Sequence, residues 1–308
     1  MPVTFYFFDL PPELHLLIKD WISPSDLRTH VCFYLSAPQC ASLYDSRPNP
    51  DNFWKLLCWN NGLGQLPDET ETETTWRDIA TRVIHADGFC THPQCGEALL
   101  EYNRASMREA AKHGVQPFSP LHIRGSYDGD ARTDLHRVVA HISFRPHTEL
   151  RAWGVPSFPV ERDAHLRSPG DVLVEWEGTD AANEREYLWR HPLAARSFAT
   201  FAPTDSLFLF AVAGIDFQHD RISSARALTV LEVLDLIQKD LNLERTVYAV
   251  SSRYVSAHEG CISRHGWSMF EIMLRLRTLR GILSICPIQQ VEVDEYTDAG
   301  PAFRFHLQ

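Results

Sequence analysis

The stretch FFDLPPELHLLIKDWISPSDL (Phe7–Leu27) decides how the rest of the chain is read. Leu14, Leu17, Ile18 and Trp21 fall at i, i+3, i+4 and i+7, the spacing of one face of an α-helix. Ser23-Pro24-Ser25-Asp26 then predicts a restart. Ser23 caps, Pro24 suits the first helical position, and Asp26 sits favourably in the first turn. The second helix places Leu27, Val31 and Tyr34/Leu35 on one side. A hairpin this short cannot bury all of that apolar surface internally, because small domains bury a low fraction of their surface. Two readings follow: a hairpin tucked into a larger core, or a docking plug whose spare side chains anchor partner helices.

Working outward, SAPQCASLYD and NPDNFWKLLCWNNG predict two further short helices, the second starting near Asn49 or Asp51 and stopping at Gly62. A polar, acidic loop, Pro67–Thr75, leads into TWRDIATRVIHADG, amphipathic through Trp76, Ile79, Ala80 and Val83. The longest helical stretch, PQCGEALLEYNRASMREAAKHG, closes at Gly114. Residues 115–170 then turn rich in Pro, Gly and Asp, with HRVVAHISF (His136–Phe144) as the obvious strand.

The C-terminal part mixes strands and helices. DVLVEWEG, SLFLFAVAGI, RTVYAVSS, QQVEVDEY and AFRFHL read as strands. LTVLEVLDLIQKDLNL (Leu228–Leu243) reads as an amphipathic helix facing the core with Val230, Val233, Leu234 and Ile237. Thr229 and Glu232 stand at capping-box spacing at its start. The fold class expected is α+β.

Composition narrows the function. With 308 residues the chain has room for two domains, and its net charge of −11 repels phosphate, against nonspecific binding to nucleic acid or anionic membrane. The longest apolar run, Leu207–Ile215, is far shorter than the roughly 20 residues a spanning helix needs. The start, MPVTFYFFDLPPE, lacks the basic region of a secretory signal. The seven cysteines are odd in number and scattered, so free thiols in a reducing compartment, cytoplasmic or nuclear, are expected.

Chemistry-bearing clusters are few. Cys90, His92 and Cys95 in GFCTHPQCG offer three zinc ligands, where a structural site needs four, so a loop with buried thiols is the plainer reading. His258, Glu259, Cys261 and His265 crowd SAHEGCISRH without the one-face geometry of His-Glu-x-x-His. GSYDGD and GLGQLPDE are turns rather than phosphate loops, and no Gly-x-Ser-x-Gly elbow occurs. No cofactor is expected. The acidic run Asp68–Glu73 reads as a solvated loop.

The N-terminal stretch resembles the F-box, the helical module by which substrate receptors dock on the Skp-type adaptor of cullin ubiquitin ligases. Leu10, Pro11, Glu13, Leu14, Ile18, Trp21, Ile22, Pro24, Asp26, Leu27, Val31 and Cys32 match its pattern in order and spacing, and NFWKLLC (Asn52–Cys58) is similar to the helix that often follows. The match covers roughly residues 8–58. Phe33, Tyr34 and Leu35 stand where basic residues and a Trp commonly follow Val-Cys.

Across roughly 190–307 the chain is similar, more weakly, to an uncharacterised α+β domain abundant in mushroom-forming fungi. HPLAARSFATFAPTDSL and ALTVLEVLDLIQKDL carry that likeness, the first including a strand start at its His-Pro-Leu.

These resemblances imply an F-box-like module over 5–60, a helical extension over 61–114, an irregular linker region with one strand over 115–170, and an α+β recruitment domain over 171–308. They imply a non-catalytic substrate receptor that binds the Skp-type adaptor, and through it a cullin, using Leu10, Pro11, Leu14, Ile18, Trp21, Pro24, Leu27 and Val31. Leu10, Ile18, Trp21 and Leu27 are its energetic anchors, and the C-terminal domain holds an unidentified target protein. The competing readings are a small-ligand-binding or enzymatic α+β domain on which the helices merely pack, and an F-box protein that binds the adaptor outside ubiquitin transfer.

Overall fold

Helical period and proline punctuation translate directly into structure in the first third of the protein. The structure, a computed structural model, describes residues 10–69, 73–90, 96–120, 133–140, 173–174, 186–187, 191–210, 221–241, 288–297 and 300–307. It divides into two units, Met1–Ser119 and Pro120–Gln308. The module expected over 5–60 and the extension over 61–114 thus share one unit, and the division falls inside the Pro- and Gly-rich zone.

The first unit holds α1 (Pro12–Trp21), α2 (Leu27–Ser36), α3 (Pro38–Asp45), α4 (Pro50–Asn60), α5 (Trp76–Asp87) and α6 (Gly96–Lys112). Proline stands at the first helical position of α1, α3 and α4, where its missing N–H costs nothing. Gly62 and Gly114 follow α4 and α6 with φ of 64° and 88°, backbone that a β-carbon disfavours.

The restart differs in detail from the expectation. The cap of α2 is Asp26, whose carboxylate accepts from the Thr29 N–H at 3.1 Å. Ser23 instead closes a turn, its carbonyl accepting from the Asp26 N–H at 2.8 Å. An ionised oxygen adjoining the first helical residue outcompetes a hydroxyl placed three residues earlier.

α2 packs on α3 and α5, and α4 packs on α5 and α6. The core between them is made by Leu27, Val31, Leu57, Leu63, Ile79, Val83, Ile84 and Leu99. An aromatic knot closes one end: Tyr44 stacks on Trp54 with ring centroids 5.2 Å apart, and Tyr34 meets Trp54 edge-on. Such pairs add to the stability given by burial alone. Thr75 and Asp78 form a reciprocal capping box at the start of α5. The acidic loop is less solvated than expected at one position. The Glu69 carboxylate accepts from the Leu66 N–H and faces Arg82 at 3.4 Å.

In the second unit, β1 (Asp134–Leu135) is followed by α7 (Arg137–Ala140). Part of the strand expected over His136–Phe144 is therefore a helical turn; 141–144 lie outside the described residues. The buried His136 ring explains the turn, because its Nδ1 accepts from the Val138 N–H as a cap would. Short apolar runs such as Val138-Val139 do not by themselves separate strand from helix.

β2 (Leu173–Val174) pairs antiparallel with β3 (Glu186–Tyr187), and β1 with β4 (Thr200–Phe201). Between β3 and β4 in sequence lies α8 (Pro192–Arg196), a short helix where the His-Pro-Leu segment suggests a strand start. β5 (Ser206–Phe210), β6 (Arg221–Ser223), β7 (Ile288–Thr297) and β8 (Gly300–Leu307) form one sheet in the order β6-β5-β8-β7, with β5 and β8 parallel. α9 (Val230–Leu241) buries Val230, Val233 and Leu234 as its period predicts. Ile237 and the strand expected over RTVYAVSS are not among the residues whose packing is described.

Thr229 and Glu232 make the predicted capping box. Thr229 donates N–H and Oγ1–H to the Glu232 carboxylate at 2.8 and 2.9 Å, and the Glu232 N–H returns to Oγ1 at 3.4 Å. The described residues thus make a mixed α+β protein with nine helices, mostly N-terminal, and small sheets in the C-terminal unit. Among them no helix is long and apolar enough to cross a membrane.

Candidate docking face

α1 carries its leucines outward. Leu14, Leu17 and Trp21 line one side of the helix and are exposed, Trp21 to 83% and Leu17 to 53%. Leu10 and Ile18 border this stripe half-buried, and Leu16 is exposed on another side of the helix. The helix turns His15 and Lys19, four residues apart, toward the bundle instead. Monomers rarely present a contiguous apolar stripe to water without a use for it.

Lys19 reaches across to α3. Its Nζ donates to the Leu43 carbonyl at 2.9 Å and sits 4.8 Å from the centre of the Tyr44 ring. Leu43 lies in the last turn of α3, where carbonyls lack helical partners and a positive charge is favourable. Burial, and next the nearby Arg47, lower the Lys19 pKa.

The turn after α1 is fixed from two sides. His30 is buried with Nε2 3.1 Å from the Ser23 carbonyl and Nδ1 2.8 Å from the Tyr44 hydroxyl. A carbonyl only accepts, so Nε2 carries the proton and Nδ1 accepts from Tyr44. Burial pushes the His30 pKa down to about 4, more than the Ser23 and Asp26 contacts raise it, so the ring is neutral. From the C-terminal cap of α4, Asn61 Nδ2 donates to the Ser25 and Leu57 carbonyls at 2.9 and 2.8 Å. Pro11 and Pro24, both exposed, stand at the two ends of the α1 segment.

The expected contact residues therefore separate. Pro11, Leu14, Trp21 and Pro24 are exposed on the surface, with Leu10 and Ile18 at its margin. Leu27 and Val31 are each 1% exposed and belong to the core between α2 and its neighbours, so they support the face rather than form it. Leu17 belongs to the exposed stripe although it was not among the expected contacts; its i+3 spacing from Leu14 was the signal that marks it.

The inward Lys19 had no signal in the apolar pattern. Of the candidate zinc ligands, Cys90 is a half-buried thiol outside any disulfide, and His92 and Cys95 lie outside the described residues. His258, Glu259, Cys261 and His265 likewise lie outside the described residues.

No family model, no curated protein and no solved structure matches the chain.

Proposed function

We propose that the protein is a substrate receptor of a Skp–cullin–F-box ubiquitin ligase. In this reading the α1 face docks on the Skp-type adaptor, and the C-terminal α+β unit holds a target protein. The chain does no bond chemistry. It raises the effective concentration of a target lysine near the transfer machinery. The observation that carries the reading is the outward apolar stripe of α1, headed by an 83% exposed Trp21, in a segment whose sequence resembles the F-box. It favours docking over a hairpin that merely packs on the rest of the chain, because packing would have turned those leucines inward.

The test is co-purification with a Skp-type adaptor. The wild-type chain is expected to retain the adaptor, and Leu17→Ala/Trp21→Ala is expected to lose it while keeping its fold. Equal, poor recovery by both would end the proposal.

A further inference from the structure

The inner face of α1 is polar. Its two buried side chains are His15 and Lys19, and no apolar side chain between Pro12 and Trp21 is buried. The neighbouring helices are anchored differently: α2 by Leu27 and Val31, α4 by Trp54 and Leu57, α5 by Ile79 and Val83. A ten-residue helix is not stable alone in water, so α1 depends on what its docked face gains. Desolvating an ammonium group costs free energy that one hydrogen bond and one ring contact offset only in part.

The turn that follows α1 is held much more firmly. Ser23 and Ser25 are bonded to His30 and Asn61 of the bundle, and the Asp26 N–H closes the turn on Ser23. Between the two regions stands Ile22, in extended backbone at φ −68° and ψ 127°. Firm turn, extended joint and polar inner face together define a unit that can open separately from the bundle.

We infer that α1 is the locally opening element of the N-terminal unit: it lifts from α3 as one segment about Ile22 while α2 to α6 remain folded. The docking face is thus carried on a helix that can re-seat when a partner engages it. The inference stands on the inner face of α1 and holds whether or not a Skp-type adaptor is the partner.

Hydrogen exchange of the full chain, with no partner added, tests it. A lifted ten-residue helix unwinds, so the amides of Leu14–Trp21 are expected to exchange at least about 100-fold faster than those of α4 and α5, with a smaller denaturant dependence than global unfolding. Lys19→Ala, which removes the bond to Leu43, is expected to speed α1 exchange by about 10-fold and leave α4 and α5 unchanged. Exchange of α1 at the rate of α4, or a proportionate rise in both helices on Lys19→Ala, would overturn the inference. The wild-type profile decides by itself if the variant does not fold.

Discussion

Replacing Trp21 separates a docking residue from a structural one. Burying a whole tryptophan side chain removes about 150–250 Å² from water. With Trp21 83% exposed, most of that area is still open in the free protein. At about 25 cal/mol per Å², its burial against a partner has an upper value of roughly 3–5 kcal/mol. Ordering the side chain and desolvating its neighbours leave about 2 kcal/mol or more, roughly 30-fold in Kd. The same truncation touches little within the chain, so stability is expected to change by less than about 0.5 kcal/mol.

Leu27 is the control. It is 1% exposed, and Leu27→Ala is expected to cost about 2–5 kcal/mol of stability. Titration of the Skp-type adaptor into each variant, alongside urea unfolding, gives both quantities. The reasoning fails if Trp21→Ala binds the adaptor as the wild type does. It fails equally if Trp21→Ala shifts the urea midpoint as far as Leu27→Ala, since Trp21 would then be part of the core.

His30 is held neutral with its pKa lowered to about 4 by burial, against about 6.5 when unfolded. The unfolded state therefore binds the proton first. The stabilising contribution is complete above pH 6.5 and is lost as pH falls from there toward 4, by about 2 kcal/mol at pH 5. His30→Gln should flatten this part of the pH profile, and unfolding midpoints at pH 7 and 5 measure it. Thr229→Ala removes the hydroxyl of the α9 capping box and is expected to cost about 0.5–2 kcal/mol, with Thr229→Ser recovering most of it in thermal unfolding. Asn61→Ala leaves the Ser25 and Leu57 carbonyls without its amide and is expected to cost about 1–3 kcal/mol in urea unfolding.

Much of the helical layout was legible because period and capping residues are local signals. Trp76, Ile79, Ala80 and Val83 declare the buried face of α5, and Thr229 with Glu232 declares the start of α9. The direction of the α1 face was less legible. A stripe at 14, 17, 18 and 21 reveals an apolar side, yet periodicity is silent on whether that side meets the protein's own core or water. The inward pair His15 and Lys19 settles it, and Lys19 depends on the Leu43 carbonyl and Tyr44 ring, which lie beyond the hairpin in sequence.

The His136–Phe144 expectation failed for the opposite reason. β-branched Val138 and Val139 suggested a strand, and a single imidazole capping Val138 tips the backbone into a turn. The position of Leu27 and Val31 inside the core likewise follows from α3 and α5, whose packing on α2 no short motif records.

The parallel pairing of β5 with β8 sets an order for assembly. β5 meets β6 at Phe208 and Arg221, a short closure with an entropic cost of about 2 kcal/mol from the length-dependent part alone. It meets β8 at Phe208 and Ala302, about ninety residues apart, and the same reckoning gives about 4 kcal/mol. The β5–β6 ribbon can therefore form early on a growing chain, and one edge of it stays open until β8 has been synthesised. During that interval the exposed strand edge is where nascent chains are most prone to pair with one another rather than with themselves.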